Sequence, residues 1–357
     1  MRQPPPDQAA ALECRGVVVS YGDTPVVDEL DITVGRGEAI ALLGPSGSGK
    51  TTLLYAVAGF ITPTAGSVRI AGEEVAGPGR HRPPERRRVG VVFQHYALWP
   101  HMTAAETVAY PLRRRGVAPA DAERQARALL ERLAIAALAD RHPAELSGGQ
   151  QQRVGLARAL ACDAGLYLFD EPTAHLDTPL RAALQEEMAE RRQEAEAAAL
   201  YATHDAAEAL AVADRVALLR DGRLVQIGTP QQVYEQPVDL WAAELTGPAA
   251  VLQVDRVHRD DGARVRLGDV EVDVATDGAP ATGGALRALV RPEWTTLGGP
   301  LPGVVRRAWY RGPYTDYRVG TTVGEVTVRL PGPPLAHAGE RVGWSLHRVW
   351  VLGSSGR

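Results

Sequence analysis

Short apolar runs recur along most of the chain: Ala39-Ile40-Ala41-Leu42-Leu43, Val89-Gly90-Val91-Val92-Phe93, Leu166-Tyr167-Leu168-Phe169 and Leu200-Tyr201-Ala202-Thr203. Runs this short and this apolar predict strands covered on both faces, as in a parallel sheet. Ahead of them, Val17, Val19, Val26, Leu30, Ile32 and Val34 alternate with polar residues around Tyr21-Gly22-Asp23. That predicts a small antiparallel sheet over residues 12–34. Residues 61–79 read as turns. Residues 103–161 read as helical, with Ala118 to Ala134 amphipathic around Leu129, Leu130 and Leu133. A hairpin is predicted over 215–228 on Asp221-Gly222, and Thr229-Pro230 starts a helix. The helical pattern fades at Thr246-Gly247-Pro248, which sets a domain boundary. Beyond it Val270, Val272 and Val274 alternate with Glu271 and Asp273, and Val323, Val326 and Val328 mark further strands. Residues 250–357 are therefore expected to be all-β, in the manner of small barrels, and carry no catalytic constellation.

Composition narrows the options. With 357 residues, 45% of them apolar, the chain has room for more than one core. A net charge of −4 argues against a general nucleic-acid binder. The clusters Arg86-Arg87-Arg88 and Arg113-Arg114-Arg115 are expected to be solvated faces. Cys14 and Cys162 have no metal-type spacing and are expected to be reduced and buried, as in a cytosolic protein. The first residues lack a hydrophobic signal region, and no apolar run approaches the roughly 18 residues of a membrane span. A membrane role would have to come through a partner.

The candidate chemistry starts at Gly44-Pro45-Ser46-Gly47-Ser48-Gly49-Lys50-Thr51-Thr52, between a predicted strand and a predicted helix that Gly59 ends. Strand, glycine-rich loop and helix are the context of a phosphate-binding loop. Glycines let backbone amides turn toward an anion, and the helix N-terminus adds its dipole. Lys50 would reach the β- and γ-phosphates of a nucleotide, and the Thr51 hydroxyl would hold Mg²⁺. Lys50 is the chain's only lysine; the remaining positive side chains are arginine. A compact ammonium fits a closed nest of amides where a planar guanidinium does not.

Other candidates sit at the ends of the predicted strands. Asp170 would hold Mg²⁺ through water and Glu171 would position and deprotonate an attacking water. His204 ends a strand of the same parallel set, at the edge where ligands collect in such sheets. Gln94 ends another and would reach the metal or the water; a lone glutamine there also reads as an ordinary loop residue. Tyr21 reads equally as a hydrophobic plug or as a face on which adenine stacks. Ser147 is a good N-cap, and the glycines after it, Gly148 and Gly149, form with it a second anion site. The loop from His95 to Met102 gathers large side chains of the kind that form apolar binding surfaces.

Taken together, the loop at 44–52, Gln94, Leu146-Ser147-Gly148-Gly149-Gln150, Asp170-Glu171, Asp177 and His204, in that order, resemble an ATP-binding cassette (ABC) ATPase subunit over residues 10–246. The resemblance implies an α/β P-loop NTPase fold with a mixed sheet, an antiparallel β subdomain and a helical subdomain near 96–161. Val290-Arg291-Pro292-Glu293 is similar to a phrase in the β-barrel extensions of importer subunits for ferric iron, polyamine, sulfate or thiamine. ATP with Mg²⁺ is then the implied substrate, and a head-to-tail homodimer the implied assembly. Each nucleotide would lie between the phosphate loop of one copy and Ser147, Gly148, Gly149 and Gln150 of the other, with Asp177 nearby. Tyr96 to Met102 would meet a membrane permease served by an extracytoplasmic solute-binding protein, placing the chain on the cytoplasmic face of the membrane. The chain departs from the family at Ala174, where serine is usual. The alternative is a soluble ABC ATPase acting on DNA or ribosomes; the chain's single cassette and lack of heptads speak against it.

Overall fold

The computed structural model describes residues 10–172, 197–254, 256–259, 263–276 and 286–352. The chain divides into two compact units, one through Pro230 and one from Gln231.

The first unit holds two sheets. Strands β1 (Leu12–Tyr21), β2 (Thr24–Val34), β4 (Ala65–Ile70), β5 (Glu73–Gly77) and β6 (Arg80–His81) form an antiparallel sheet in the order β2-β1-β4-β5-β6. Residues 61–79 thus contain two strands where turns were expected. Val68 and Ile70 do alternate inward, but Gly66 and Gly72 blur the pattern. Gly66 is required there: at φ 79°, a Cβ would sit 2.1 Å from the Gly16 carbonyl oxygen on β1.

The second sheet runs β11-β10-β3-β9-β8-β7, built from β3 (Ala39–Leu43), β7 (Val89–Val92), β8 (Leu166–Asp170), β9 (Ala198–Thr203), β10 (Arg215–Arg220) and β11 (Arg223–Gly228). Its pairings are parallel except the β10–β11 hairpin. All of β3, β8 and β9 is buried, which is why these strands read as unbroken apolar runs. Helix α1 (Lys50–Ala58) packs on this sheet through Leu53, Leu54 and Val57 and ends at Gly59 in the left-handed conformation.

Between β7 and β8 lie α2 (Ala104–Arg114), α3 (Pro119–Arg132) and α4 (Gly148–Leu160). A capping box of Thr103 and Glu106 starts α2. Helix α5 (Ala206–Val212) follows β9 and is capped by the Asp205 carboxylate, which accepts from the Ala207 and Glu208 amides.

The second unit begins with α6 (Pro230–Glu235) and α7 (Leu240–Thr246). It continues as β12 (Ala250–Val254), β13 (Arg256–Arg259), β14 (Ala263–Leu267), β15 (Val270–Thr276), β16 (Leu286–Val290), β17 (Thr295–Tyr310), β18 (Tyr314–Thr321), β19 (Gly324–Pro331), β20 (Arg341–Leu346) and β21 (Arg348–Val351). These make a sheet β12-β16-β21-β15-β14-β13 and a sheet β19-β18-β17-β20. Both line a core around Trp344, Tyr317 and Leu252, which suits a barrel-like unit.

The helices between Pro230 and Thr246 group with the β-rich unit, and Arg291 supplies the reason. Its guanidinium is fully buried and donates to the carbonyls of Tyr234, Ala243 and Gly247 at 2.7, 2.8 and 2.9 Å. It also stacks 4.1 Å from the Tyr234 ring, whose hydroxyl donates to Glu293. Both helices are thereby tied to the β-strands that follow them.

Candidate functional site

Four of the parallel strands deliver their following loops to one edge of the sheet. β3 leads to the glycine-rich loop, β7 to Gln94, β8 to Asp170-Glu171 and β9 to His204. The carboxyl edge of such a sheet is where a ligand crevice forms.

The loop fits its role from the glycines upward. Gly47 and Gly49 have φ of 82° and 96°, a region side chains rarely adopt. A Cβ on Gly44 would stand 2.4 Å from the Leu219 carbonyl oxygen, and one on Gly49 2.5 Å from that of Val26. At these two positions glycine is demanded by neighbouring backbone, a constraint beyond the approach of an anion. Pro45, Ser46 and Gly47 are exposed, while Ser48 and Lys50 are buried. Lys50 Nζ donates to the carbonyls of Gly44 and Pro45 at 2.8 and 2.9 Å. Burial pulls its pKa down, while Glu171 and Asp170 push it back up. Thr52 is half-buried on the first turn of α1.

Thr51 Oγ1 donates to Asp170 Oδ1 at 2.8 Å. The other carboxylate oxygen, Oδ2, is buried without a well-formed hydrogen bond, and the nearby Tyr55 hydroxyl only partly satisfies the carboxylate. A poorly satisfied buried carboxylate oxygen is costly, and here it lies beside the hydroxyl of a phosphate loop. This donor set fits a hard cation such as Mg²⁺, which takes one or two protein oxygens together with phosphate oxygens and water. Burial raises the Asp170 pKa and the Glu171 charge adds to that; the Thr51 and Tyr55 hydroxyls and the Lys50 charge oppose it.

Glu171 has φ 48°, uncommon for a non-glycine residue. Its amide donates to the Ala202 carbonyl at 2.9 Å, so the backbone turns while still tied to β9. The carboxylate then meets both flanking candidates. Gln94 Nε2 donates to Oε2 at 3.3 Å, and His204 Nδ1 lies 3.0 Å from Oε1. Gln94, Glu171 and His204 are thereby one cluster, adjoining the Thr51–Asp170 pair.

Ser147 and Gly148 are exposed at the start of α4. The Gln150 side-chain oxygen accepts from the Ser147 amide at 2.8 Å, so Gln150 shapes this helix end. The amides of its first turn have no partner inside the helix. Tyr21 is 58% exposed at the β1–β2 turn. Asp177 and Ala174 lie outside the described residues.

Two residues that reasoning from sequence passed over join these parts. Gln152, buried in α4, donates its amide to the carbonyl of Pro172, next to Glu171. Arg158, also on α4, donates to the carbonyls of Ala97 and Tyr96 at 2.5 and 3.0 Å and lies 5.3 Å from the Trp99 ring. Tyr96 and Ala97 both have positive φ, so the loop after Gln94 is pinned in an unusual shape by α4. The loop's large side chains are only partly free: Tyr96 and Trp99 are half-buried, and Trp99 packs on Tyr110 at 4.8 Å. Cys14 is buried, but Cys162, just past the end of α4, is only half-buried.

Comparison with known proteins agrees with this geometry. The family model described as "ABC transporter" matches residues 27–174. The chain is 43% identical to a Fe(3+) ions import ATP-binding protein of Rhodococcus jostii, over 97% of this chain and 98% of that one. It is 41% identical to a sulfate/thiosulfate import ATP-binding protein of Bradyrhizobium diazoefficiens, over 96% and 99%. A spermidine/putrescine import ATP-binding protein of Thermobifida fusca is 41% identical over 84% and 79%. Among solved structures, a dimeric post-hydrolysis state of an ATP-binding cassette with ADP and Pi is similar at TM-score 0.58. It is 28% identical and covers 61% of this chain and 98% of that one.

Proposed function

The chain belongs to the ATP-binding subunits of ABC transporters, and from that premise we propose how its own residues bind and hydrolyse ATP and what they drive. It is an ATPase of an import system; its cargo is a small solute of the ferric iron, polyamine, sulfate or thiamine kind. The observation that carries the residue assignment is the convergence of Lys50, the Thr51–Asp170 pair and the Gln94–Glu171–His204 cluster on one sheet edge.

The glycine-rich loop and the N-terminus of α1 cradle the phosphates, with Lys50 as the point charge on the β- and γ-groups. Tyr21 offers an exposed ring to the adenine. Thr51 and Asp170, with Gln94 in reach, would hold Mg²⁺, whose charge when bound neutralises the phosphate oxygens. Glu171 is the general base: its carboxylate takes a proton from water as that water attacks the γ-phosphorus, and the bond from that phosphorus to the bridging oxygen breaks, releasing ADP. Gln94 and His204 hold the carboxylate from either side, and His204 is placed to sense the γ-phosphate.

Ser147 and Gly148 stand exposed, and Gly149 half-buried, at a helix end on the same chain, a second anion site without a nucleotide of its own. We assign it to the ATP of a partner copy in a head-to-tail homodimer, with Asp177 lining the same interface. The Tyr96–Met102 loop meets a permease at the cytoplasmic face of the membrane, and an extracytoplasmic solute-binding protein completes the system. No described helix is long and apolar enough to cross a membrane. Detergent copurification tests this reading. A multispanning membrane protein should be retained by the wild type and lost from a Trp99→Glu variant that still binds ATP; retention of nothing by the wild type would contradict it.

A further inference from the structure

At the edge of the parallel sheet where β7 and β8 begin, opposite the one that carries Glu171, the first unit has a cleft of about 1040 Å³. Six arginines line it: Arg36, Arg80, Arg82, Arg86, Arg87 and Arg88. The cluster Arg86-Arg87-Arg88, expected to be a solvated face, lines this cleft with Arg86 and Arg88 exposed. Its middle member, Arg87, is buried. The guanidinium donates to the carbonyls of Ala56 and Val57, at the end of α1, and of Arg82, at 2.7, 2.8 and 2.7 Å. Among the described residues it meets no carboxylate. Burial, with the Arg82 charge beside it, pulls its pKa down to about 10. The end of a helix supplies only about half a compensating charge.

The acids of the cleft are Glu73, Glu85 and Asp163, and two of them are already engaged. Arg82 holds Glu73, and Arg115 of the helical subdomain holds Asp163 at 3.0 Å. Arg36, Arg86 and Arg88 are exposed and, among the described residues, form no hydrogen bond or close ion pair, although the Arg88 charge also acts on Glu73. This excess of positive charge stands in a chain whose net charge is −4, so it is local rather than a reflection of the whole. The floor is apolar, with Ile70, Val75 and Leu166 buried beneath it.

We propose that this cleft binds a small polyphosphorylated molecule, with Arg36, Arg86 and Arg88 as its phosphate contacts. Planar guanidinium forks take phosphate oxygens in pairs. The volume is at the upper end of small-molecule sites, about 300–1,000 Å³. Concavity favours a compact ligand over an extended chain. The site is distinct from the ATP crevice, and α1 connects the two: the phosphate loop is at its start and Arg87 at its end.

The test is calorimetric titration of the full chain, with Mg-ADP saturating the ATP crevice. The probes are inorganic tripolyphosphate and adenosine 3′,5′-bisphosphate. Saturable binding of tripolyphosphate is expected, weakening as salt rises. Arg36→Ala/Arg86→Ala/Arg88→Ala should weaken it roughly 10–100-fold while leaving ATP turnover and thermal midpoint unchanged. Tighter binding of the bisphosphate would identify a nucleotide using the apolar floor; weaker binding would identify free condensed phosphate. Absence of saturable binding to the wild type, or equal binding by the triple variant, would overturn the proposal.

Discussion

Lys50 is where the chain's preference for arginine stops, and the geometry around it explains why. Its ammonium lies within 2.9 Å of two loop carbonyls in a buried nest. A guanidinium needs more volume and a planar fork. Lys50→Arg should therefore lower ATP turnover roughly as far as Lys50→Ala, about 10²–10³-fold; full activity in the arginine variant would contradict this. Glu171→Gln keeps the shape of the carboxylate but cannot accept a proton. Single-turnover assays should show hydrolysis slowed about 10²–10⁴-fold with ATP affinity intact. Near-normal turnover would remove Glu171 as the base. Cys14 supplies a prediction about pH. Burial, with Asp31 and Glu13 nearby, pushes its thiol up to about 12. The folded thiol stays protonated while an unfolded one ionises near 9, so its contribution to stability is complete below about pH 9 and is lost between about 9 and 12. At pH 8 a thiolate-specific reagent should label Cys14 only after unfolding. Labelling of Cys14 in the folded chain would show that it is not enclosed.

Among the elements, α4 has the widest reach. Its start presents Ser147 and Gly148, its first turns carry Gln152 to Pro172, and Arg158 near its end holds the Tyr96–Ala97 turn. One rigid helix thus touches the second anion site, the backbone beside the general base and the loop offered to a permease. Gln152→Leu removes a buried donor and should lower kcat about tenfold with little change in KM for ATP. An unchanged kcat would leave Gln152 a packing residue only. The strands of the parallel sheet were legible because both their faces are buried, and the phosphate loop was legible because its chemistry dictates its spacing. The strands β4 and β5 were not, since alanine and glycine dilute the alternation of Val68 and Ile70. Gln152, Arg158, Arg87 and Arg291 were hidden for a shared reason. Each is a polar residue buried against carbonyls distant in sequence, and no local pattern announces such a partner. For Arg291 the consequence is testable: Arg291→Ala strands the carbonyls of Tyr234, Ala243 and Gly247 and should cost about 2–4 kcal/mol of stability. A thermal midpoint equal to the wild type would deny it an anchoring role.

At the scale of the whole molecule, one chain displays half of two sites. The phosphate loop, Asp170 and Glu171 assemble one crevice, while Ser147 and Gly148 stand exposed elsewhere, with Gly149 half-buried behind them, at a helix end suited to an anion. In the proposed head-to-tail arrangement, two copies would complete both. ATP then favours the closed pair because its contacts to the second copy exist only there. Hydrolysis removes those contacts and lets the pair open. The measurement that bears most directly on this is sedimentation velocity of the Glu171→Gln chain with and without Mg-ATP. The account predicts a dimer with Mg-ATP and a monomer with ADP. It further predicts that Ser147→Glu, added to Glu171→Gln, abolishes the dimer while ATP binding persists. A chain that binds ATP and stays monomeric, or one that dimerises equally with glutamate at 147, would contradict it.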